Sequence, residues 1–345
     1  MESASTKPLP AAAPTSALAE KRSTSSDTGR KLTHRPWWPW AKRLASLLFF
    51  ALIVTLLASQ ARTIEWDKVL GALVDYPLAA AWGAAAVATA SFGLYSCFDL
   101  LGRRYTGHQL STLQVMTTTF VSYVFNLNLG SLVGGVALRY RLYSRQGLPT
   151  GVITRIMGFS MLTNWMGYVL VAGLVFSLLP PTLPNDWKID TGQLRLIGYG
   201  LVCVTVAYLA ACLFLKRRSF DLRGHEIDLP SARLAGLQLA MGGANWLLMS
   251  GIIYILLLQQ IEPTAVISVL LLAAIAGVIT HIPGNLGVLE AVFVALLSHK
   301  MPTHEILAGL VAYRLVYFLI PLAVATALYL ALEMRAKNAR PSANQ

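Results

Sequence analysis

Charge is what this sequence has least of. Only 13% of its 345 residues are Asp, Glu, Lys or Arg, where a soluble domain carries about 25%. So little charge cannot coat a water-facing surface, which argues against an ordinary soluble enzyme. Acidic residues are scarcer still: 16 Asp and Glu against 28 Lys and Arg leave a net charge of +12. DNA-binding proteins reach such an excess with many charges, not few, so nucleic acid is not an expected partner. Cysteine is nearly absent. Cys97, Cys203 and Cys212 make an odd count with no CxxC, and all lie in apolar runs. That excludes a disulfide framework and a cysteine zinc site. His281 has no second histidine at metal spacing, and no HExxH, Ser/His/Asp arrangement or GxxxxGK[ST] loop occurs. No cofactor, no metal, no nucleotide and no catalytic role are expected.

What is present is apolar: 55% of the chain. A spanning helix needs about 20 mainly apolar residues. Such runs occur at 43–61, 77–101, 151–179, 194–215, 233–258 and 305–332. Before them, residues 1–40 are rich in Ala, Ser, Thr and Pro and form a disordered tail in this reading. The first apolar run starts too late, without a clear cleavage site, to be a signal peptide. Trp37, Trp38 and Trp40, with Lys42 and Arg43, suit a headgroup layer at its entry.

Two further apolar segments are broken. Residues 113–137 are interrupted by Asn126-Leu-Asn-Leu-Gly-Ser-Leu-Val-Gly-Gly135, and residues 264–298 by His281-Ile-Pro-Gly-Asn-Leu-Gly287. Pro and Gly in mid-segment stop a helix, and broken backbone at membrane depth survives only where protein or a wet cavity satisfies it. Charge then sets topology. Eight basic residues precede residue 44. Others cluster at Arg103 and Arg104; at Arg139, Arg141, Arg145 and Arg155; at Lys216, Arg217, Arg218, Arg223 and Arg233; and at Arg335, Lys337 and Arg340. All 22 of these fall on the cytoplasmic side if both broken segments enter and leave by one face. The resulting architecture is all-α and polytopic, with six full spans and two opposed re-entrant hairpins. In the alternative, 264–298 holds a full span and a second helix, and eight transmembrane helices result. The membrane domain runs over 41–335, in halves of about 41–180 and 193–333, before a short tail at 336–345. Both termini are then cytoplasmic. Each half reads span, span, hairpin, span in opposite orientation, an inverted repeat of the kind transporters use. Asn128-Leu-Gly-Ser-Leu132 and Asn285-Leu-Gly-Val-Leu289 occupy matching places in it.

A charge at membrane depth costs at least about 2.5–3.5 kcal/mol, so Glu290 and Arg314 are the first site candidates. They either flank a polar cavity or form a structural pair that ties hairpin to helix. Asp99, at the end of its span, either orients Arg103 or Arg139 for a ligand or forms an interfacial ion pair. Arg139 and Arg141 alternate with tyrosines, a pattern suited to phosphate or to topology-setting charge. Asn126 and Asn128 lie deepest in the first break, able to satisfy freed backbone. Gly130, Gly134, Gly135, Pro283, Gly284 and Gly287 permit the turns. Ser160, Thr163 and Asn164 line a cavity or bond between helices.

Four stretches carry a family resemblance: Phe98-Asp-Leu-Leu-Gly-Arg-Arg-Tyr105, Phe125 to Tyr143, Ile282-Pro-Gly-Asn-Leu-Gly-Val-Leu-Glu290 and Tyr313-Arg-Leu-Val-Tyr317. They resemble the membrane (flippase) region of the lysylphosphatidylglycerol synthase family and its stand-alone, YbhN-like inner-membrane relatives. Asn285 departs from the family, which has a second Gly there. The resemblance implies a lipid-translocating domain of the bacterial inner membrane, with phospholipids as partners. With about 12 residues after the last span, the family's separate aminoacyl-transferase domain, and its aminoacyl transfer, are not expected here. Asp99, Asn126, Asn128, Arg139, Arg141, Glu290 and Arg314 are then the expected headgroup-contacting residues. Two other classes stay open: a scaffold or regulator of a lipid-synthesis enzyme, and a membrane enzyme acting on a lipid headgroup.

Overall fold

The computed structural model describes residues 66–74, 76–181, 190–215, 219–222 and 225–338. The chain divides into two units, 1–64 and 65–345, and everything described lies in the second. The expected span at 43–61, the tail before it and the Trp37–Trp40 cluster therefore lie outside the described residues.

The elements are helical throughout, apart from one short ribbon. They are α1 (Trp66–Val74), α2 (Leu78–Ser96), α3 (Phe98–Thr106), α4 (Thr112–Leu129), a π-helical stretch Ser131–Leu138 running into α5 (Arg139–Arg145), α6 (Thr150–Leu178) and α7 (Thr191–Phe214). Strands β1 (Ser219–Leu222) and β2 (His225–Asp228) pair antiparallel. Then come α8 (Ala232–Leu256), α9 (Pro263–Thr280), a turn Pro283–Asn285, α10 (Val288–Leu297), α11 (Thr303–Arg314), a second π-helical stretch Leu315–Leu319 and α12 (Ile320–Asn338).

Local chemistry sets the helix starts. Ser111 accepts from the Gln114 N–H while the Gln114 side chain accepts from the Ser111 N–H, a reciprocal cap that opens α4. Asp190 and Gln193 open α7 in the same way. Pro263 begins α9, where its missing N–H costs nothing.

Six helices among the described residues are long and apolar enough to cross a membrane: Leu78–Thr106, Thr150–Leu178, Thr191–Phe214, Ala232–Leu256, Pro263–Thr280 and Thr303–Met334. Five are the expected spans. The sixth, α9, is the first arm of the second broken segment, and at span length it fits the alternative reading of that region as well as the hairpin. The protein is thus an all-α polytopic membrane protein.

Its core is apolar, as in a soluble fold, but its surface is apolar too, and some polar groups are buried. Leu196, Val206, Phe214 and Ile320 face outward, while Ser91, Asp99, Thr119, Arg139 and Asn245 are buried. Lipid gives apolar side chains no reason to turn inward, so close packing and interhelical hydrogen bonds hold the bundle. At the crossing of α6 and α8, a Cβ on Gly167 would stand 2.2 Å from the Gly242 carbonyl carbon. Beside it, Gln238 donates to Thr163 Oγ1 at 3.0 Å and Trp246 to the Asn164 carbonyl at 3.2 Å. Thr163 and Asn164 therefore bond between helices.

Candidate functional site

Both broken segments turn at their breaks. In the first, α4 stops at Gly130, whose φ of 86° is open only to glycine at low cost. The π-helical stretch then returns along α4 so closely that a Cβ on Gly134 would lie 2.1 Å from the Phe125 carbonyl carbon. In the second, α9 ends at His281 with φ 55°, and α10 begins after Gly287 with φ 76°. Asn285 folds back onto α9, where a Cβ on Gly277 would strike its side chain. Gly130 and Gly287, the equivalent glycines of the two matching pentapeptides, each sit at positive φ and precede the helix that follows.

The two breaks meet. A Cβ on Gly284 would lie 3.4 Å from the Leu127 carbonyl oxygen and 3.7 Å from that of Asn128. Asn128 Nδ2 donates to the Val124 carbonyl at 2.9 Å and reaches the Phe318 carbonyl at 3.4 Å. Asn126 lies over Gly135. Asn128 thus links the backbone of α4 to that of the second π-helical stretch.

Arg314 ties the junction. Its Nε donates to Glu290 Oε1 at 2.8 Å and one terminal nitrogen to Oε2 at 3.2 Å. The same nitrogen donates to the Asn285 carbonyl at 2.7 Å, and the other terminal nitrogen to the Gly284 carbonyl. The planar guanidinium is suited to this: one group satisfies a carboxylate and two carbonyls that the turn left unpaired. It also stacks over Phe318, 4.8 Å from the ring centroid.

A second charged centre lies apart from the first. Asp99 is fully buried, and Arg139 NH1 stands 3.6 Å from its Oδ1. Tyr143 donates to the other oxygen at 2.7 Å. Of the two arginines that Asp99 was placed to orient, the fold selects Arg139. Arg103 instead donates to the Leu110 carbonyl at 3.0 Å. Arg141 belongs to neither centre. It reaches Glu333 of α12 at 2.6 Å, and Arg145 reaches the same carboxylate at 2.5 Å. His281 is exposed, its Nδ1 2.9 Å from the Ile279 carbonyl. Among the described residues, no three His, Cys, Asp or Glu side chains group to hold a metal.

Of the residues expected from the sequence, the fold brings Glu290 and Arg314 to the Gly284 turn, and Gly284 to the Leu127–Asn128 backbone. The sequence did not single out Tyr143, which bonds Asp99, or Glu333, which bridges Arg141 and Arg145. Helical spacing carried a signal for the first: Arg139 precedes Tyr143 by one turn.

Near the second centre a cavity of about 590 Å³ is lined by Cys97, Leu101, Arg103, Arg104, His108 and Met241, among others. Burial, with Arg103 nearby, pushes the His108 imidazole below its usual value.

The model of the lysylphosphatidylglycerol synthase TM region matches residues 43–325. The chain belongs to that family. It is also 43% identical over 306 residues to the Escherichia coli (strain K12) inner membrane protein YbhN, covering 88% of this chain and 96% of that protein. A Synechocystis protein, slr0712, is 29% identical over 280 residues, or 80% of this chain and 87% of its own length. Within this family's matched region fall both helix breaks, both charged centres and the cavity.

Proposed function

We propose that the chain moves a phospholipid headgroup between the leaflets of a bacterial inner membrane. The observation that carries this is the meeting of two broken segments, Gly284 against the Leu127 and Asn128 carbonyls, with an Arg–Glu pair beside it. Irregular backbone inside an apolar bundle is tolerated where it lines a polar path, and paired discontinuous helices are a recurring transporter device. Membership of the family and likeness to a protein named for the inner membrane support the location. Both breaks act as re-entrant elements of an inverted repeat, and both termini lie in the cytoplasm by the placement of basic loops.

In this reading Arg314 and Arg139 attract the lipid phosphate, Glu290 and Asp99 balance them, and Asn126 and Asn128 supply amide contacts. Arg141 guides phosphate at the headgroup level. The acyl chains stay in lipid. The family region that matches is the transmembrane one, so aminoacyl transfer is not assigned to this chain.

The test uses purified protein in liposomes with a leaflet-reporting phospholipid. Lipid should cross, and Glu290→Gln or Arg314→Ala should slow it. Liposomes in which no bacterial phospholipid moves would sink the proposal. If deletion then dissolves a lipid-enzyme complex, the scaffold reading takes its place; headgroup chemistry in the vesicles would favour an enzyme.

A further inference from the structure

The cavity of about 590 Å³ near the second charged centre has no part in the lipid path proposed above. Its size falls within the roughly 300–1,000 Å³ usual for small-molecule sites. Its lining is of two kinds. Leu100 and Leu101 of α3 and Met241 of α8 are apolar, whereas Arg103, Arg104 and His108 are basic. No Asp or Glu lines it.

The basic part is held in shape by its own loop. Helix α3 closes at Gly107, whose φ is 73°. One terminal nitrogen of Arg103 then donates to the Leu110 carbonyl at 3.0 Å and to Thr112 Oγ1 at 3.2 Å. The Leu110 N–H donates to His108 Nδ1 at 3.3 Å. With Nδ1 accepting, the neutral ring carries its proton on Nε2, which is buried without a partner. The arginines of the other centres each face a carboxylate: Arg139 has Asp99, Arg141 and Arg145 share Glu333, and Arg314 has Glu290. Arg103 instead bonds neutral acceptors, and the exposed Arg104 bonds no acceptor among the described residues. Topology-setting charge explains basic residues at a helix end, but not a cavity that joins them to an apolar wall. Two guanidiniums without a carboxylate, next to that wall, suit an anion that also carries an apolar part.

We propose that this cavity binds one anionic phospholipid, its phosphate on Arg103 and Arg104 and the start of its acyl chains along Leu100, Leu101 and Met241. The planar guanidinium forks match phosphate oxygens in pairs, which an ammonium cannot do. The site is separate from the helix-break junction at Arg314. It holds a lipid whether or not any lipid is moved there, so it goes beyond the transport reading and does not rest on it.

Native mass spectrometry of the full chain in a neutral detergent, with phosphatidic acid titrated in, tests this by counting bound copies. Two competitors divide the ligand: dioleoylglycerol has the chains without the phosphate, and inorganic phosphate has the anion without the chains. Phosphatidic acid should bind, and neither competitor should displace it at equal concentration. Arg104→Ala should weaken one bound copy about tenfold, the low end for losing a hydrogen bond between charged groups. Arg103→Gln keeps a donor for Leu110 and Thr112 without the charge, and combined with Arg104→Ala should weaken that copy about a hundredfold. Arg104→Ala strands no partner, so it carries the test should the double variant fail to fold. If no bound copy loses affinity in folded Arg104→Ala, the proposal is overturned. Displacement by inorganic phosphate overturns it too and makes the cavity a soluble-anion site; displacement by dioleoylglycerol makes it an apolar groove. Phosphatidic acid that needs Arg104, on a protein that moves no lipid in liposomes, keeps this site and sinks the transport reading.

Discussion

The Glu290–Arg314 and Asp99–Arg139 pairs put the same two charges into one apolar bundle, yet their surroundings satisfy them differently. Arg314 bonds both oxygens of its carboxylate and two backbone carbonyls. Arg139 stands off from Asp99 at 3.6 Å, beyond hydrogen-bond reach, and both partners keep unpaired atoms. The first pair is partly exposed at the meeting of two helix breaks, whereas the second is sealed. The lesson concerns what a buried ion pair is for. Where a guanidinium also caps broken backbone, it is part of the architecture. Where the same chemistry is left under-bonded, burial costs more than the pair returns.

That contrast yields its sharpest test in Arg314→Ala. It strands a carboxylate and two carbonyls, and should lower unfolding stability in detergent by about 3–5 kcal/mol. Arg139→Ala leaves one stranded carboxylate that Tyr143 still serves, and should cost less. Equal losses would erase the distinction.

Replacing both members of each pair separates them further. Glu290→Gln with Arg314→Met should still lose about 2–3 kcal/mol, since the Gly284 and Asn285 carbonyls lose their donor. Asp99→Asn with Arg139→Met should fall within about 1 kcal/mol of wild type, as apolar replacement of a buried pair often does. A large loss in the second double variant would make Asp99–Arg139 architectural too.

Glycine substitutions probe the arms that carry each pair. Gly134→Ala pushes against the Phe125 backbone, which cannot yield, and should cost about 1–3 kcal/mol. Gly277→Ala meets the Asn285 side chain, which can turn aside, and should cost less. The reverse order in thermal melts would mean the Asn285 contact is the stiffer one.

Glu333→Gln should have the smallest effect. It removes an exposed bridge to Arg141 and Arg145, and any loss should vanish in high salt. A salt-insensitive loss would place a third structural pair beside the first two.

Much of this was legible in the sequence, for a reason that also marks its limit. Glu290 and Arg314 stood out because charge is rare in an apolar run, and the breaks because Pro and Gly interrupt one. Five spans were readable by length. Residues 264–298 were not settled, because an 18-residue apolar helix serves equally as a span or a hairpin arm. Tyr95, Tyr123, Tyr313 and Tyr317 were invisible as a group. Tyrosine is unexceptional in a helix, and only tertiary packing stacks Tyr95 on Tyr123 and brings Tyr317 to Tyr123. The choice of Arg139 over Arg103 for Asp99 likewise depends on how the first break turns.

The five residues Leu315–Leu319, wound as a π-helix directly after Arg314, have a mechanical consequence. A π turn stores one residue more than an α turn of the same helix. Releasing that residue into α geometry advances the screw by one position, roughly 100° about the axis. Arg314 and α12 would then rotate relative to each other with no chain break and little loss of backbone hydrogen bonding. The helix that fastens the junction thus contains its own swivel, one residue from the guanidinium that does the fastening.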